Sequence, residues 1–285
     1  MSKLFLLPRL TLPVLLILAP CAHAQQPKPD APPDTPTQTN LPTDAPLNPA
    51  LPTVFIVGDS TARNGANLGW GDHFAHLFDT SRINVANRAM AGRSSRTFSN
   101  EGRWDKVLAE MKPGDFLLLQ MGHNDSGDLG GAKPRGTLHS IGEETQAVPQ
   151  TAGPLAGTTE IVHTYGWYLR KYIDETKAKG ATPALLTLTV RNIWTTGPDG
   201  KPHIERDMGY TALIQQVAQQ EHIQLIDMGT LEADAYEKLG PTATAPFFPK
   251  DNTHTSPEGA ERNAEAVAQA LRLAKSPLAA YLKPQ

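Results

Sequence analysis

The chain has 285 residues, with 26 Lys and Arg against 29 Asp and Glu, which gives a formal net charge of −3 at pH 7. This slightly acidic balance excludes a protein that binds nucleic acid through a basic patch. The length is sufficient for the core of one ordinary domain, and a single cysteine excludes a disulfide framework.

The first 24 residues are predicted to be a secretory signal peptide. Lys3 and Arg9 give a positive start, and an apolar run over 10–20 follows. That run is too short for a transmembrane helix, and no later segment is long and apolar enough for one. Small residues end the segment, so cleavage is predicted after Ala24.

Cys21 offers a second interpretation of the same segment. A lipoprotein would carry its lipid on this cysteine and would stay attached to a membrane. Pro20 beside the cysteine is a poor match to a lipidation site. The preferred prediction is therefore a protein that is secreted or periplasmic after cleavage of the signal peptide.

The next segment, 25–50, is rich in Pro, Thr, Asp and Gln and has almost no large apolar residues. Such a composition cannot bury enough surface to offset the entropy of ordering, so a Pro-rich disordered linker is predicted. It either holds the folded domain away from an envelope surface or has no specific role. The folded domain is predicted over 51–285.

Five short apolar runs in that domain have the length and the bounds of buried parallel strands. They lie at 53–57, 83–87, 115–121, 183–190 and 223–228. Apolar residues at helical spacing predict helices over 70–78, 162–179, 207–221 and 258–273. Strands that alternate with helices predict a parallel sheet that is covered on both faces.

One stretch, 127–159, interrupts this alternation. It is rich in Gly, Pro and Thr and contains no aromatic residue. A loop of this length in a compact domain is usually functional or disordered. Because it directly follows a strand end, where α/β folds bind their ligands, it is a candidate part of a binding site.

Three polar side chains have the chemistry that ester cleavage requires. The hydroxyl of Ser60 can attack a carbonyl carbon, and the imidazole of His254 can take its proton. Asp251 lies three residues before His254 and can hold the imidazole in the correct tautomer. These residues are the predicted nucleophile, base and supporting acid.

The attack also creates a negative oxygen that needs fixed hydrogen-bond donors. The backbone N–H groups of Ser60 and Gly92 and the side-chain amide of Asn124 are the predicted donors. Ser60, Gly92 and Asn124 follow three different predicted strands, whose carboxyl ends share one edge of a parallel sheet. We therefore expect the three residues to meet in one crevice.

These residues lie in short blocks that resemble the SGNH/GDSL hydrolase family. The blocks are Gly58-Asp59-Ser60-Thr61, Ala91-Gly92-Arg93, Gly122-His123-Asn124-Asp125 and Asp251-Asn252-Thr253-His254. The resemblance covers 52–273 and implies a flavodoxin-like three-layer α/β/α sandwich with a five-stranded parallel sheet. It implies no metal and no organic cofactor.

Further stretches resemble the bacterial rhamnogalacturonan acetylesterases. They are Arg135-Gly136-Thr137-Leu138, Gly142-Glu143-Glu144-Thr145, His163-Thr164-Tyr165-Gly166-Trp167 and Thr255-Ser256-Pro257. The likeness implies a carbohydrate acetylesterase whose partner is an acetylated polysaccharide or oligosaccharide of the pectic type.

Four other residues are candidates for substrate binding: His123, Arg191, Trp194 and Arg63. An arginine can bind a uronate carboxylate in a bidentate manner, and a tryptophan can stack on a sugar face. The alternative for each is a structural role, in an ion pair, a hydrogen bond or packing. Together with Arg93 and Arg96, Arg63 is also expected to make the crevice attractive to a polyanion.

Three alternatives remain at this point. One is an acetylxylan esterase, or an esterase for longer acyl chains with the same chemistry. Another is a catalytically silent carbohydrate-binding protein of the cell envelope. A metal site formed by Asp59, Asp125 and Asp251 is disfavoured, because the usual ligand spacings are missing.

Overall fold

The computed structural model describes residues 46–153 and 155–284. The predicted signal peptide, 1–24, and most of the predicted linker, 25–45, lie outside the described residues and stay predictions. No helix in the described part of the chain combines the length and the apolar character that crossing a membrane requires.

Five parallel strands form one central sheet, and two further pairs of strands form small antiparallel sheets. In chain order the strands are β1 (Thr53–Gly58), β2 (Asn84–Asn87), β3 (Phe116–Gln120), β4 (Thr145–Pro149), β5 (Thr159–His163), β6 (Thr182–Leu186), β7 (Trp194–Thr196), β8 (Pro202–Ile204) and β9 (Gln224–Ile226). The helices are α1 (Ser95–Asn100), α2 (Arg103–Glu110), α3 (Tyr165–Ala178), α4 (Thr211–Gln220), α5 (Met228–Leu239), α6 (Pro241–Thr244) and α7 (Pro257–Leu273). The central sheet has the order β2-β1-β3-β6-β9. This is the flavodoxin-like order, and the predicted fold class is confirmed.

Strand β1 shows why the sheet has a core on each face. Successive side chains of a strand point to opposite faces. Phe55 and Val57 pack in one buried cluster with side chains of α2, α3 and α4. Val54 and Ile56 pack in the other cluster, with side chains of α7. The sheet is thus covered on both sides, as the alternation of strands and helices predicts.

The predicted helix over 70–78 is wrong. The segment forms two short 3₁₀ turns, Trp70–His73 and Ala75–Leu77. The backbone N–H of Trp70 donates to the carbonyl of Thr61 at 3.0 Å, in the loop that follows β1. This hydrogen bond ties the start of the segment to the loop after β1.

The stretch 127–159 is not entirely irregular. Its residues Thr145–Pro149 form β4, which pairs in antiparallel fashion with β5. The helix predicted over 162–179 begins later, at the first residue of α3, because the residues before it belong to β5. The Thr164 hydroxyl caps this helix by accepting the N–H of Trp167 at 3.0 Å.

Arg96 of α1 connects the helix to this hairpin and to the loop before it. Its Nε donates to Glu160 of β5 at 2.8 Å, and an Nη donates to the other oxygen of the same carboxylate. The second Nη donates to the carbonyls of Leu129 and Gly136 at 2.9 and 2.8 Å. The Arg96 side chain is only 1% exposed, so this is a buried ion pair.

Replacing Arg96 with leucine should lower the free energy of unfolding by about 3–5 kcal/mol, because the Glu160 carboxylate would lose its buried partner. Urea-induced unfolding measures this loss. The control is Arg82→Leu at an exposed arginine, for which we expect a change below about 1 kcal/mol. A loss below about 1 kcal/mol for Arg96→Leu would contradict the structural role of the buried pair.

Candidate active site

A hydrogen-bonded chain of three side chains lies at the carboxyl edge of the central sheet. Ser60 follows β1, and its Oγ is 2.9 Å from Nε2 of His254. The other ring nitrogen of His254, Nδ1, is 2.8 Å from Oδ2 of Asp251. Ser60 and His254 are buried, with 8% and 7% of their surface exposed. The structure therefore brings together residues that are distant in sequence, since Ser60 and His254 are 194 positions apart.

The Asp251 carboxylate is held by its own turn. Its Oδ1 accepts the backbone N–H groups of Thr253 and His254, at 2.7 and 2.8 Å. Partial burial acts to raise the pKa of Asp251, but the hydrogen bonds from His254 and Thr253 outweigh it and hold the pKa below its ordinary value. An ionised Asp251 favours the tautomer in which Nδ1 of His254 carries the proton, which leaves Nε2 free to accept one from Ser60.

Hydrogen bonds also bring the loops after β2 and β3 to the same place. The N–H of Met90 donates to the carbonyl of Gly58 at 3.0 Å, which places the segment after β2 beside the loop of the serine. The side-chain amide of Asn124 donates to the carbonyl of Arg93 at 2.8 Å. The loops that follow β1, β2 and β3 are thus joined at the sheet edge.

The predicted oxyanion donors are a backbone N–H at a left-handed glycine, the backbone N–H of Ser60 and a buried side-chain amide. Gly92 has a φ of 76°, in the left-handed region that glycine adopts without strain. Among the described backbone hydrogen bonds, none uses the N–H of Ser60 or of Gly92. Asn124 is buried and uses one amide hydrogen for Arg93. Its second amide hydrogen and the two backbone N–H groups stay the predicted oxyanion donors.

His123 is a buried residue whose ring nitrogens both have protein partners. Its Nδ1 is 3.1 Å from Oδ2 of Asp59, and its Nε2 is 3.1 Å from the carbonyl and from the hydroxyl of Thr189. Burial acts to raise the pKa of Asp59, but the charge and hydrogen bond of His123 and the hydrogen bonds of Thr61 lower it overall. These contacts support the structural alternative for His123 and give no support to a substrate contact.

Gln120 is a site residue that the sequence reasoning missed. Its Oε1 accepts the Trp70 indole N–H at 2.7 Å and the Thr61 hydroxyl at 3.1 Å. Its Nε2 donates to the carbonyl of Thr187 at 3.0 Å and contacts Sδ of Met228 at 2.8 Å. The amide thus joins the ends of β1 and β6 to the start of α5. The signal for it was a polar residue at the end of an otherwise apolar strand.

Two of the predicted substrate residues lie together after β6. Arg191 is half-buried, and one Nη is 3.4 Å from the carbonyl of His123, next to Asn124. Its Nε is buried and has no hydrogen-bond partner among the described residues. Trp194 begins β7, is half-buried, and donates its indole N–H to the Asn192 side chain at 2.7 Å. Arg191 is thus placed near the predicted donor Asn124, whereas Trp194 packs against the buried cluster that contains Val190 and Ile204.

The expectation of an arginine-rich crevice is wrong for most of its members. Arg93 and Arg96 are buried and pair with Glu101 and Glu160, so neither faces a ligand. Arg63 is half-buried and donates to the carbonyl of Asn87 at 2.8 Å, with Asp72 3.6 Å from its other Nη. Each of these guanidinium groups has a carboxylate partner, and this pairing offsets the cost of burying the charge.

Asp125, beside Asn124, is fully buried and is bonded to Ser95 at the start of α1. Burial raises the pKa of the Asp125 carboxyl to about 7, against the hydrogen bonds from Ser95. The charge of Asp59 acts in the same direction as burial, and the charge of Arg135 opposes it.

No group of three or more His, Cys, Asp or Glu in the described residues lies in an arrangement that could hold a metal ion.

The raised pKa of Asp125 predicts a pH-dependent stability. The folded protein holds this proton more tightly than the unfolded chain, in which the pKa is near 3.8. The stability that this tighter proton binding gives to the folded protein is present below about pH 4 and is lost as the pH rises through about 7. Relative to the wild type, Asp125→Asn should therefore gain stability between pH 4 and pH 8, by at most about 4 kcal/mol. Urea unfolding across that range measures the difference, and a difference that is constant or moves the other way would contradict it.

The chain is similar in sequence to two rhamnogalacturonan acetylesterases. It is 31% identical over 219 residues to a rhamnogalacturonan acetylesterase of Emericella nidulans, covering 77% of this chain and 84% of the relative. It is 28% identical over 249 residues to the rhamnogalacturonan acetylesterase RhgT of Bacillus subtilis, covering 80% and 93%.

Two solved structures share the fold. The crystal structure of protein YxiM from Bacillus subtilis has a TM-score of 0.63 and 26% identity, covering 80% of this chain and 58% of that one. The chain thus spans little more than half the length of that structure. An acetylxylan esterase from Geobacillus stearothermophilus has a TM-score of 0.53 at 17% identity, covering 82% and 97%. At that identity the likeness shows the fold alone.

A flavodoxin-like sheet with Ser, His and Asp joined at its carboxyl edge places the chain among the carboxylic ester hydrolases. The pattern of the GDSL-like Lipase/Acylhydrolase family matches residues 56–262, which is most of the chain and includes Ser60 and His254. The chain belongs to this family. The predicted family resemblance and the predicted enzyme class are both confirmed.

Proposed function

We propose that the chain is a secreted serine esterase that removes acetyl groups from a plant cell-wall polysaccharide, most closely of the rhamnogalacturonan type. The observation that carries the proposal is the hydrogen-bonded chain from Ser60 through His254 to Asp251. Further support comes from the bond that joins the Asn124 amide to the carbonyl of Arg93, next to the positive-φ turn at Gly92. A nucleophile, a base and oxyanion donors are what acyl transfer requires.

In the first half of the reaction, Oγ of Ser60 attacks the acetyl carbonyl carbon while Nε2 of His254 takes the hydroxyl proton. The carbonyl oxygen becomes negative and accepts hydrogen bonds from the N–H groups of Ser60 and Gly92 and from the Asn124 amide. The bond between the acetyl carbon and the sugar oxygen then breaks. The sugar oxygen leaves with the proton from His254, and an acetyl-enzyme remains on Ser60.

In the second half, a water molecule attacks the acetyl carbon and gives a proton to Nε2 of His254. The same donors stabilise the second oxyanion. The bond to Oγ of Ser60 breaks, Ser60 takes the proton back from His254, and acetate is released. Asp251 stays ionised throughout and stabilises the imidazolium that forms in each half.

The substrate class is supported by the relatives and by the loop over 127–159. Two relatives at 28–31% identity are named as rhamnogalacturonan acetylesterases. The loop supplies few large apolar side chains, which disfavours a groove for a long acyl chain. A small acyl group on a polar polymer agrees with both observations.

Arg191 is the side chain that we assign to the acidic sugar of such a polymer, with Trp194 as a stacking surface. Nε of Arg191 is buried and has no hydrogen-bond partner in the described part of the chain, and one Nη is 3.4 Å from the carbonyl of His123. Arg191→Gln should lower kcat/KM for an acetylated uronate substrate about tenfold relative to the carboxyl-reduced form of the same substrate. Steady-state acetate release gives this ratio. An unchanged ratio would contradict the assignment, because a purely structural loss lowers both values equally.

The proposed location rests on the sequence of the first 24 residues. Lys3, Arg9 and the apolar run over 10–20 have the pattern of a cleaved export signal. N-terminal sequencing of the protein recovered from the periplasm and from the medium tests this part. A mature protein that begins at Gln25 supports it, and an intact N-terminus contradicts it.

Acetate release over a panel of esters tests the proposed activity. The panel contains acetylated rhamnogalacturonan, acetylated xylan, a chromogenic acetate and a chromogenic long-chain ester, with each polymer after alkaline deacetylation as its blank. We expect the highest kcat/KM on acetylated rhamnogalacturonan. A preference for xylan would make the chain an acetylxylan esterase, and a preference for the long-chain ester would make it a lipase-type enzyme. Binding to the polymers without turnover of any ester would overturn the proposal.

A further inference from the structure

The predicted oxyanion donors belong to segments that follow different strands. Gly92 lies in the turn between β2 and α1, whereas Asn124 lies in the loop after β3. An oxyanion hole is effective only when its donors are held within about 0.5 Å of their working positions. The two segments therefore need fixed connections, and the bond from the Asn124 amide to the carbonyl of Arg93 is one of them.

Asp125 and Ser95 form such a connection. Asp125 is the neighbour of Asn124, and Ser95 is three residues after Gly92. Oδ1 of Asp125 accepts the hydroxyl of Ser95 at 2.5 Å and its backbone N–H at 3.2 Å. Both residues are completely buried, so water does not compete for these bonds. A single carboxyl group thus takes both donors of the serine.

Each partner is also anchored from its other side. The carbonyl of Ser95 accepts the hydroxyl of Tyr172 on α3 at 2.7 Å. The carbonyl of Asp125 accepts the N–H of Thr137 at 2.9 Å, and its own N–H donates to Gly122 at 3.1 Å. The connection is therefore rigid at both ends and can transmit the position of one segment to the other.

We propose that Asp125 and Ser95 are a pair of positioning residues that fixes the separation of the Gly92 N–H and the Asn124 amide. The inference rests on the proposed esterase function and adds to it residues that never touch the substrate. A hole whose donors are displaced still admits the neutral ester but binds the oxyanion less well. The pair should therefore act on kcat and leave KM nearly unchanged.

The test compares Ser95→Ala, Asp125→Ala and the double variant on a chromogenic acetate. Ser95→Ala removes the hydroxyl and keeps the N–H, and it should lower kcat about tenfold with KM within about twofold. Asp125→Ala removes the acceptor of both Ser95 donors and should act in the same direction. The double variant should be no slower than the slower single variant, because both changes break the same connection.

The matched control is Thr176→Val on α3. It also removes a completely buried hydroxyl, which donates to the carbonyl of Tyr172 at 2.6 Å. We expect a Tm loss similar to that of Ser95→Ala but a kcat within twofold of wild type. Equal kcat losses in Thr176→Val and Ser95→Ala would overturn the inference, because loss of stability would then explain both. So would a normal kcat in Ser95→Ala, or a rise in KM without a change in kcat.

A failure of the proposed esterase function can be distinguished from a failure of this inference. In that case wild type itself releases no acetate from any ester. The positioning role is then measured by the rate at which diethyl p-nitrophenyl phosphate phosphorylates Ser60, since this reaction also places an oxygen in the hole. A tenfold slower reaction in Ser95→Ala supports the inference, and an unchanged rate overturns it.

Discussion

Ser60→Ala should lower kcat for a chromogenic acetate by about 10⁴- to 10⁶-fold, because no other hydroxyl can replace a nucleophile held 2.9 Å from its base. The fold should be preserved, since the change removes one hydroxyl at the surface of the crevice. Initial rates against substrate concentration give kcat, and the unfolding midpoint in urea checks the fold.

The control for this variant is Ser81→Ala, which removes an exposed hydroxyl that donates to Asp79 at 2.6 Å. Its kcat should equal that of wild type. Quenching the wild-type reaction and digesting the protein should also give an acetylated peptide that contains Ser60. Turnover by Ser60→Ala within tenfold of wild type would mean that the hydrogen-bonded chain is not the reaction centre.

Asp251→Asn should lower kcat by about 10⁴-fold although it changes a single atom. Oδ1 of Asp251 accepts two backbone N–H groups, so an asparagine there would keep its oxygen on that side. Its NH₂ group would then face Nδ1 of His254 and donate to it. The His254 proton would move to Nε2, where it blocks the transfer from Ser60.

Asp227→Asn is the matched control for that change. Asp227 caps α5 through the N–H of Thr230 at 3.2 Å and accepts the Thr187 hydroxyl at 3.0 Å. This variant makes the same replacement outside the reaction centre, and kcat should stay within twofold. The measurement is steady-state kinetics with the ¹⁵N spectrum of the histidines. A His254 that keeps its Nδ1 proton in Asp251→Asn, or a kcat near that of wild type, would contradict the tautomer argument.

The parts of the site that follow from the sequence are those fixed by topology. Ser60, Gly92 and Asn124 each follow a strand, and parallel strands present their carboxyl ends at one edge. Their meeting could be predicted once the apolar runs were identified. The Asp251 to His254 contact follows from the short turn that contains both residues.

The parts that could not be predicted depend on long-range partners. Helical spacing over 70–78 does not show that the segment forms two 3₁₀ turns, or that Trp70 bonds to the loop after β1 and to Gln120. The pairing of β4 with β5 depends on a partner strand, which periodicity alone does not identify. Arg96 has the charge expected of a ligand-binding residue. Its burial against Glu160 could not be predicted, because the two residues are distant in sequence.

The hydrogen bonds of Arg96 also indicate where side chains can be replaced in the loop before the β4–β5 hairpin. Apart from Glu160, its acceptors are main-chain carbonyls, at Leu129 and Gly136, and every amino acid has that group. The segment between them can therefore exchange side chains without losing its attachment to α1, except at Gly130, where a Cβ would lie 2.5 Å from the carbonyl oxygen of Pro149. A library that varies 131–134 and keeps Arg96, Gly130 and Glu160 is thus a natural starting point for changing this loop without losing its attachment to α1.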